Sequence, residues 1–412
     1  MTTSVLERFL RYVTCDTRSD ERSSSSPSTP GQIRLLRQLV EELQQMGLAD
    51  AVLDEHGHVM ATIPATSAKP GLPVIGFIAH VDTSPEMPGH PVVPIVHQEY
   101  DGGDIVLPDD PDAVLRAADD PALAAHVGRA IVTASGATLL GADDKAGVAA
   151  IMTAAEYLLA NPEIAHGTVR IAFTPDEEIG RGANRFDVAR FGAVCAYTID
   201  GGGLGELEFE SFSADAMTVT FKGFNTHPGY AKDRMVNAIK LAADFITRLP
   251  ADGLSPETTD GYEGYVHPYV VDASVERTSV KLLIRDFATA RLRQMESFVE
   301  RLAREVIANE PRASLEVNIE ESYRNMREVL DAHPHVIERA REAMRRAGVT
   351  PVERPIRGGT DGSRLSFMGL PAPNLFAGEH NFHSRVEWAS VHEMEKAVEV
   401  IVELCRVWEE AG

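Results

Sequence analysis

Four short segments carry residue types that can hold metal ions and move protons. The first is His80-Val81-Asp82, directly after an apolar run at 74–79 that reads as a buried strand. In an extended chain, residues i and i+2 point the same way. Asp82 can therefore hold the ring of His80 and fix the tautomer of a ligating imidazole. The triplet alone is common and decides nothing. The second segment is Gly141-Ala142-Asp143-Asp144-Lys145-Ala146-Gly147, at the start of an alanine-rich helix. An aspartate there can simply cap the helix; it can also be a carboxylate that bridges two metals. The third is Asp176-Glu177-Glu178, after a strand read over 169–173. Three acids in a turn are commonly solvated surface. These three follow a strand expected to be buried, at the carboxyl end where open α/β sheets place their sites. Adjacent carboxylates repel unless a cation lies among them. One can ligate metal while its neighbour accepts a proton from water. The fourth pairs Asp200, ahead of Gly201-Gly202-Gly203, with His383 in Gly378-Glu379-His380-Asn381-Phe382-His383. His380 rivals His383 as a ligand.

Together these segments offer two histidines and three carboxylates, with a spare glutamate beside one of them. Oxygen and imidazole donors without cysteine suit zinc, or manganese or cobalt. Two such ions about 3.5–4 Å apart can clamp a hydroxide and polarise a carbonyl. The chain has no His-Glu-x-x-His helix, no Gly-x-Ser-x-Gly elbow and no Walker loop. Its triple glycine is not a dinucleotide fingerprint, because Glu206 stands where the third glycine would be.

The elements that must position these residues alternate. Amphipathic helices are expected at 3–14 and 31–46, with a Ser/Pro/Gly loop between them. Apolar strands at 74–79, 169–173 and 194–199 and a helix at 145–159 argue for an α/β sheet covered on both faces. The texture changes after about residue 212. Met217, Val219 and Phe221 alternate with polar residues, as do Val280, Leu282 and Ile284, and then Leu315, Val317 and Ile319. Helical stripes run through 239–249 and 292–306, and a further strand is expected near 265–271. The order β-α-β-β-α-β reads as a ferredoxin-like sandwich. The α/β texture resumes from about 325, with helices near 333–347 and 390–410. The expected organisation is a catalytic domain formed by 1–212 and 323–412, interrupted by an inserted lid or dimerisation domain at 213–322.

Bulk properties narrow the function classes. Of 412 residues, 44% are apolar, enough for packed cores in two or three domains. Lys and Arg total 39 against 62 Asp and Glu, a net charge of −23. Such a surface repels phosphate backbones, so nucleic acid is not an expected partner. No apolar run approaches the ~18 residues that span a bilayer, and no membrane association is expected. The first eight residues lack the basic-then-apolar pattern of a secretory signal. Cys15, Cys195 and Cys405 are odd in number and far apart, which fits reduced thiols and a cytoplasmic location.

At this point the motifs resemble a known family. They are Pro27-Ser28-Thr29 with Gly31-Gln32, Ala79-His80-Val81-Asp82-Thr83, Leu140-Gly141-Ala142-Asp143-Asp144-Lys145-Ala146-Gly147, Phe173-Thr174-Pro175-Asp176-Glu177-Glu178-Ile179-Gly180, Asp200-Gly201-Gly202-Gly203, Pro355-Ile356-Arg357-Gly358-Gly359-Thr360-Asp361-Gly362 and Asn381-Phe382-His383. In this order, over nearly the whole chain, they resemble the tripeptide aminopeptidases of the dinuclear zinc peptidase family that includes carboxypeptidase G and aminoacylase. The resemblance implies two Zn2+ per subunit, with Co2+ or Mn2+ as substitutes. It implies His80, Asp143, Glu178, Asp200 and His383 as ligands, with Asp143 bridging. Glu177 would be the general base and Asp82 would orient His80. A cis peptide is implied between Asp143 and Asp144.

In the inserted domain the resemblance gives His227 to the tetrahedral oxyanion and Arg285 to the substrate's C-terminal carboxylate, a task suited to a planar fork. Without the resemblance these would read as a surface histidine and a strand-edge salt bridge. Asn237 and Arg357 are further candidates for substrate contact. A homodimer joined through the inserted domain's edge strands is implied as well. The chain departs from the family's Tyr-Asn-Tyr-His-Gly and following basic pair, having His380-Asn381-Phe382-His383-Ser384-Arg385-Val386 instead. The flanking Asn381, Phe382 and Glu387 favour His383 over His380 as ligand, while the changed surroundings bear on side-chain preference. Short peptides are the expected substrates. Two rival readings stand beside this one: an enzyme that removes C-terminal residues or deacylates amino acids, and a non-catalytic metal- or peptide-binding protein.

Overall fold

A computed structural model describes residues 3–412. The chain divides into two compact units. Unit 1 comprises Met1–Phe209, Met326–Arg354 and Thr360–Gly412, and unit 2 comprises Glu210–Asn325 and Pro355–Gly359.

Unit 1 is built on an eight-stranded mixed sheet. In spatial order its strands are Val52–Leu53, Val59–Ile63, Val169–Thr174, Ile75–His80, Cys195–Gly201, Asn374–Phe376, Glu206–Glu208 and Val352–Glu353. The four from Val169–Thr174 to Asn374–Phe376 run parallel. They read as unbroken apolar runs because both faces are covered. On one face Ile78, Ala172, Ala196 and Met60 pack with Phe186, Phe191 and Leu365. On the other Phe77 stacks on Tyr197, whose hydroxyl accepts a hydrogen bond from the Trp408 indole of the helix Val391–Glu410. The helix Ala142–Ala160 lies against the strand Cys195–Gly201 so closely that a Cβ on Gly147 would fall 1.8 Å from the Ile199 carbonyl oxygen. Only glycine permits that approach, and it fixes the depth at which Asp143 enters the sheet's end.

A second, four-stranded antiparallel sheet joins Glu379–His380, Trp388–Ser390, Ile131–Thr133 and Ile95–His97. Its strands are only two or three residues long, below what alternation in a sequence can register. It holds His383 in the connection between Glu379–His380 and Trp388–Ser390. Among the described residues no helix is long and apolar enough to cross a membrane.

Unit 2 follows the chain order β-α-β-β-α-β. Its antiparallel sheet runs Tyr265–Ala273, Arg277–Asp286, Ser213–Lys222, Ser314–Tyr323. The helices Ala238–Arg248 and Thr289–Ile307 bury their stripes against Met217, Val219, Phe221, Val280, Leu282 and Ile284. The segment Pro355–Gly359 joins this unit, although its position in the sequence places it beyond the expected insertion. Ser211 bridges to Ile356, and the Arg357 guanidinium donates to the carbonyls of Thr259, Gly261 and Glu263.

Candidate metal centre

The three central parallel strands end side by side, and each delivers acids or a histidine. Ile75–His80 ends in His80, Val169–Thr174 runs into Asp176-Glu177-Glu178, and Cys195–Gly201 carries Asp200. The helix start adds Asp143, and the short-stranded sheet adds His383. His80 Nε2 lies 2.9 Å from Asp143 Oδ1 and 3.3 Å from Asp200 Oδ1. His383 Nε2 lies 2.7 Å from Glu178 Oε2 and 3.3 Å from Asp143 Oδ2. The five residues thus form two groups of donor atoms, each within 4.8 Å, and Asp143 belongs to both. Glu178 Oε1 is buried without a hydrogen-bond partner. This donor set, all imidazole and carboxylate with one carboxylate shared, fits two adjacent divalent cations.

The electrostatics point the same way. Burial, joined by the charge of Asp143, pushes the Glu178 carboxyl up to about 8. Burial raises Asp200 to about 6 despite the nearby His80. Burial opposes protonation of His383, yet Asp143 and Glu178 raise it to about 11. Carboxylates crowded this closely demand positive charge, and the imidazoles answer it here as divalent ions would.

Asp82 is fully buried and ties the centre together. One oxygen lies 3.4 Å from His80 Nδ1. The same carboxylate accepts the backbone N–H of Glu177 at 3.0 Å and of Glu178 at 3.2 Å. Glu177 stands apart from both donor groups. Its carboxylate accepts no hydrogen bond from the protein among the described residues, and burial raises it well above the ordinary range. The Asp143–Asp144 peptide is cis. Asp144 accepts the His80 and Gly147 N–H groups and forms with Asp200 and Glu379 a third close group of acids.

His380 is engaged elsewhere. Its Nε2 lies 2.7 Å from Glu393 Oε2, and its ring stacks on Trp388 at 4.0 Å. His126 Nε2 lies 3.3 Å from the other Glu393 oxygen. Burial works against ionisation of Glu393, but hydrogen bonds from His126 and His380 hold its carboxyl down at about 2. A depressed carboxyl stabilises the fold above its ordinary value of 4.5 and loses that contribution as pH falls toward 2. The contribution is on the order of 3 kcal/mol. Urea unfolding of wild type and Glu393→Gln should therefore show a wild-type advantage at pH 6 that shrinks below pH 4.5. A gap independent of pH would break the assignment.

Three supporting residues had no role assigned in the sequence. Asp176 takes a left-handed conformation at φ 55°, costly for a side-chain-bearing residue. Its buried carboxylate is held by the Ser28 N–H at 2.8 Å, the Ser28 hydroxyl at 2.5 Å and the Gln32 amide at 2.7 Å. That clamp aims Glu177 and Glu178, and it gives Ser28 and Gln32, in the motifs at 27–32, their function. Glu387, 1% exposed, accepts four backbone N–H groups. Leu140 and Gly141 donate to one oxygen at 2.7 and 2.8 Å, Ala142 and Asp143 to the other at 2.7 and 3.2 Å. It thereby binds the Asp143 loop to the loop that carries His383. The third is Glu86, 3.4 Å from His383 Nδ1.

The remaining sequence candidates lie in unit 2, outside this cluster. His227 is exposed, and its Nδ1 accepts the Gly229 N–H. Arg285 is half-buried and donates to the Tyr265 hydroxyl at 2.9 Å, while its Nε has no partner. Asn237 caps the helix Ala238–Arg248, and Arg357 is tied to the loop at 259–263 as described.

The sequence profile of Peptidase family M20/M25/M40 matches residues 133–407. The chain is 51% identical over 414 residues to Peptidase T of Geobacillus thermodenitrificans, covering 100% of this chain and 99% of that protein. The chain belongs to peptidase family M20/M25/M40. It is also 48% identical over 410 residues to Peptidase T of Bacillus pumilus, with both chains covered in full. Among solved structures it resembles the aminopeptidase PepT of Bacillus cereus, with a TM-score of 0.75 at 22% identity and 98% of each chain covered. It resembles a tripeptidase of Staphylococcus aureus with a TM-score of 0.77 at 20% identity, both chains covered in full. A dinuclear metal-binding peptidase of the family from Bacillus subtilis matches with a TM-score of 0.66 at 16% identity, covering 98% of each chain. At these identities the three structures establish the fold, an α/β peptidase fold with a mixed sheet.

Proposed function

We propose that the chain is a metal-dependent aminopeptidase that removes the first residue of tripeptides. The observation that carries this reading is the Glu177 carboxylate, which accepts no hydrogen bond among the described residues and adjoins in the chain Glu178, a member of the donor groups that share Asp143. The full-length relatives named Peptidase T and the aminopeptidase and tripeptidase folds support the substrate class. His80, Asp143, Glu178, Asp200 and His383 hold two ions per subunit, zinc in first place with cobalt or manganese as substitutes. Bound there, the ions supply a Lewis acid that acidifies water and polarises the peptide carbonyl.

Glu177 takes one proton from the attacking water. The water oxygen bonds to the carbonyl carbon, the C–N bond breaks, and Glu177 returns the proton to the leaving amine. Asp82 keeps the His80 ring oriented. His227 donates to the oxyanion, and the Arg285 fork pairs with the substrate's terminal carboxylate and so measures peptide length. Asn237 and Arg357 give further substrate contacts. Unit 2 is read as a ferredoxin-like lid and dimerisation domain of a cytoplasmic homodimer. The whole chain's free cysteines, Cys15, Cys195 and Cys405, suit that compartment.

The test is a mass-resolved digest of a tripeptide of three different residues by zinc-loaded protein. The N-acetylated tripeptide, a dipeptide and a tetrapeptide run in parallel. Release of the first residue from the free tripeptide alone is the expected result. Release of the last residue, or cleavage of the acetylated peptide, would move the protein to the carboxypeptidase or acylase branch.

A further inference from the structure

An exopeptidase must read a terminal charge close to the reacting carbonyl, because the α-nitrogen and that carbon are two bonds apart. The ammonium receptor therefore stands at the edge of the metal centre. Asp143, Glu178 and Asp200 are donors there, Asp82 is spent on His80 and two N–H groups, and Glu177 is the base. Asp144, Asp176, Asp361 and Glu379 are buried. Glu86 remains, with a carboxylate 3.4 Å from His383 Nδ1 and a side chain 70% exposed.

Glu86 also lines a cavity of about 930 Å3 that lies wholly in unit 1. Arg18 and Arg34 line it too. Arg18 is anchored where its strand bridge to Thr83 meets the Ser19 N–H donated to the Thr83 carbonyl. Gly89 lets the loop close on that anchor, since a Cβ there would fall 3.1 Å from Thr83 Oγ1. Arg34 stands beside Gly31, with its Nη2 3.4 Å from where a Cβ would sit. Asp16, Asp20 and Glu21 share the cavity, yet neither the Arg18 nor the Arg34 guanidinium lies within 4.0 Å of a carboxylate among the described residues. Both arginines keep their full donor sets for a ligand. A guanidinium fork matches a carboxylate in two hydrogen bonds. Separated charges of both signs suit a residue that itself carries both.

We propose that this cavity receives the first residue of the substrate, Glu86 binding its α-ammonium and Arg18 and Arg34 an acidic side chain. Peptides that begin with glutamate or aspartate are then the preferred substrates. The inference rests on the aminopeptidase reading and adds its side-chain preference.

The experiment measures kcat and KM for Glu-Gly-Gly, Gln-Gly-Gly and Leu-Gly-Gly with wild type, Glu86→Gln and the double variant Arg18→Ala/Arg34→Ala. All three substituted side chains are solvent-exposed, so the variants fold. Wild type should favour glutamate over its isostere glutamine by about tenfold or more in kcat/KM. The double variant should bring that ratio near one. Glu86→Gln should raise KM for every peptide about tenfold and leave kcat and bound metal little changed. A wild-type ratio of one or less, or a ratio the double variant leaves intact, would overturn the acidic subsite. A fall in kcat or bound metal with KM unmoved would assign Glu86 to His383 and overturn its part. Absence of turnover for all three peptides would sink the aminopeptidase reading itself, whereas normal cleavage without preference would sink only the subsite.

Discussion

Glu177→Gln leaves the protein folded and metal-loaded but lowers kcat on a tripeptide by about 10²–10⁴-fold, the usual scale of a lost acid–base group. The backbone N–H of residue 177 still reaches Asp82 in the variant, because that hydrogen bond does not involve the side chain. The side chain itself belongs to neither donor group, so metal content by mass spectrometry should match wild type. What disappears is the one step that glutamine cannot perform, taking a proton from water and returning it to the amine. Retention of more than about a tenth of the activity would remove Glu177 from the mechanism. Loss of metal together with activity would make it a ligand instead.

The second large effect falls on a residue that touches neither metal nor substrate. Glu387 accepts four backbone N–H groups in a site closed to water. Burial, against those donors, raises its carboxyl to about 7. Removing such an acceptor leaves buried donors unsatisfied at about 1–3 kcal/mol each. Glu387→Ala should therefore unfold at much lower urea, with a loss of about 3–5 kcal/mol or more. Glu387→Gln keeps the shape but turns an NH2 group toward N–H donors. It should remain folded and bind metal about 10–100-fold more weakly in chelator competition, the usual scale for lost supporting contacts. Normal metal affinity in the Gln variant would show that the Asp143 loop needs no such anchor.

The parts of this molecule legible in the sequence share one property: their signal is local. Strands buried on both faces show as apolar runs, so the ends bearing His80 and Asp200 could be located. The alternation of Met217, Val219 and Phe221, and the stripes of the helices they pack against, revealed unit 2 in the same way. The supporting residues gave no such signal. Glu387 works through backbone groups some 245 residues away in sequence, and nothing near it marks a carboxylate that accepts N–H groups. Ser28 and Gln32 stood inside a recognised motif, but their role becomes visible only when Asp176 arrives across 144 to 148 residues. The sheet that carries His383 is made of strands too short to alternate. The choice between His380 and His383 shows the same limit. Both sit in one hexapeptide, and the pairing of His380 with Glu393 and Trp388 separates them.

The short-stranded sheet that holds His383 also sets an order in time. Residues 80 to 200 provide His80, Asp143, Glu178, Asp200 and the proposed base Glu177. His383 and Glu387 are translated about 180 residues later, and the Asp143 loop lacks its Glu387 anchor until they arrive. A nascent chain emerging from the ribosome therefore carries an unfinished hydrolase. Its metal centre is completed only when the segment that carries His383 and Glu387 has been made.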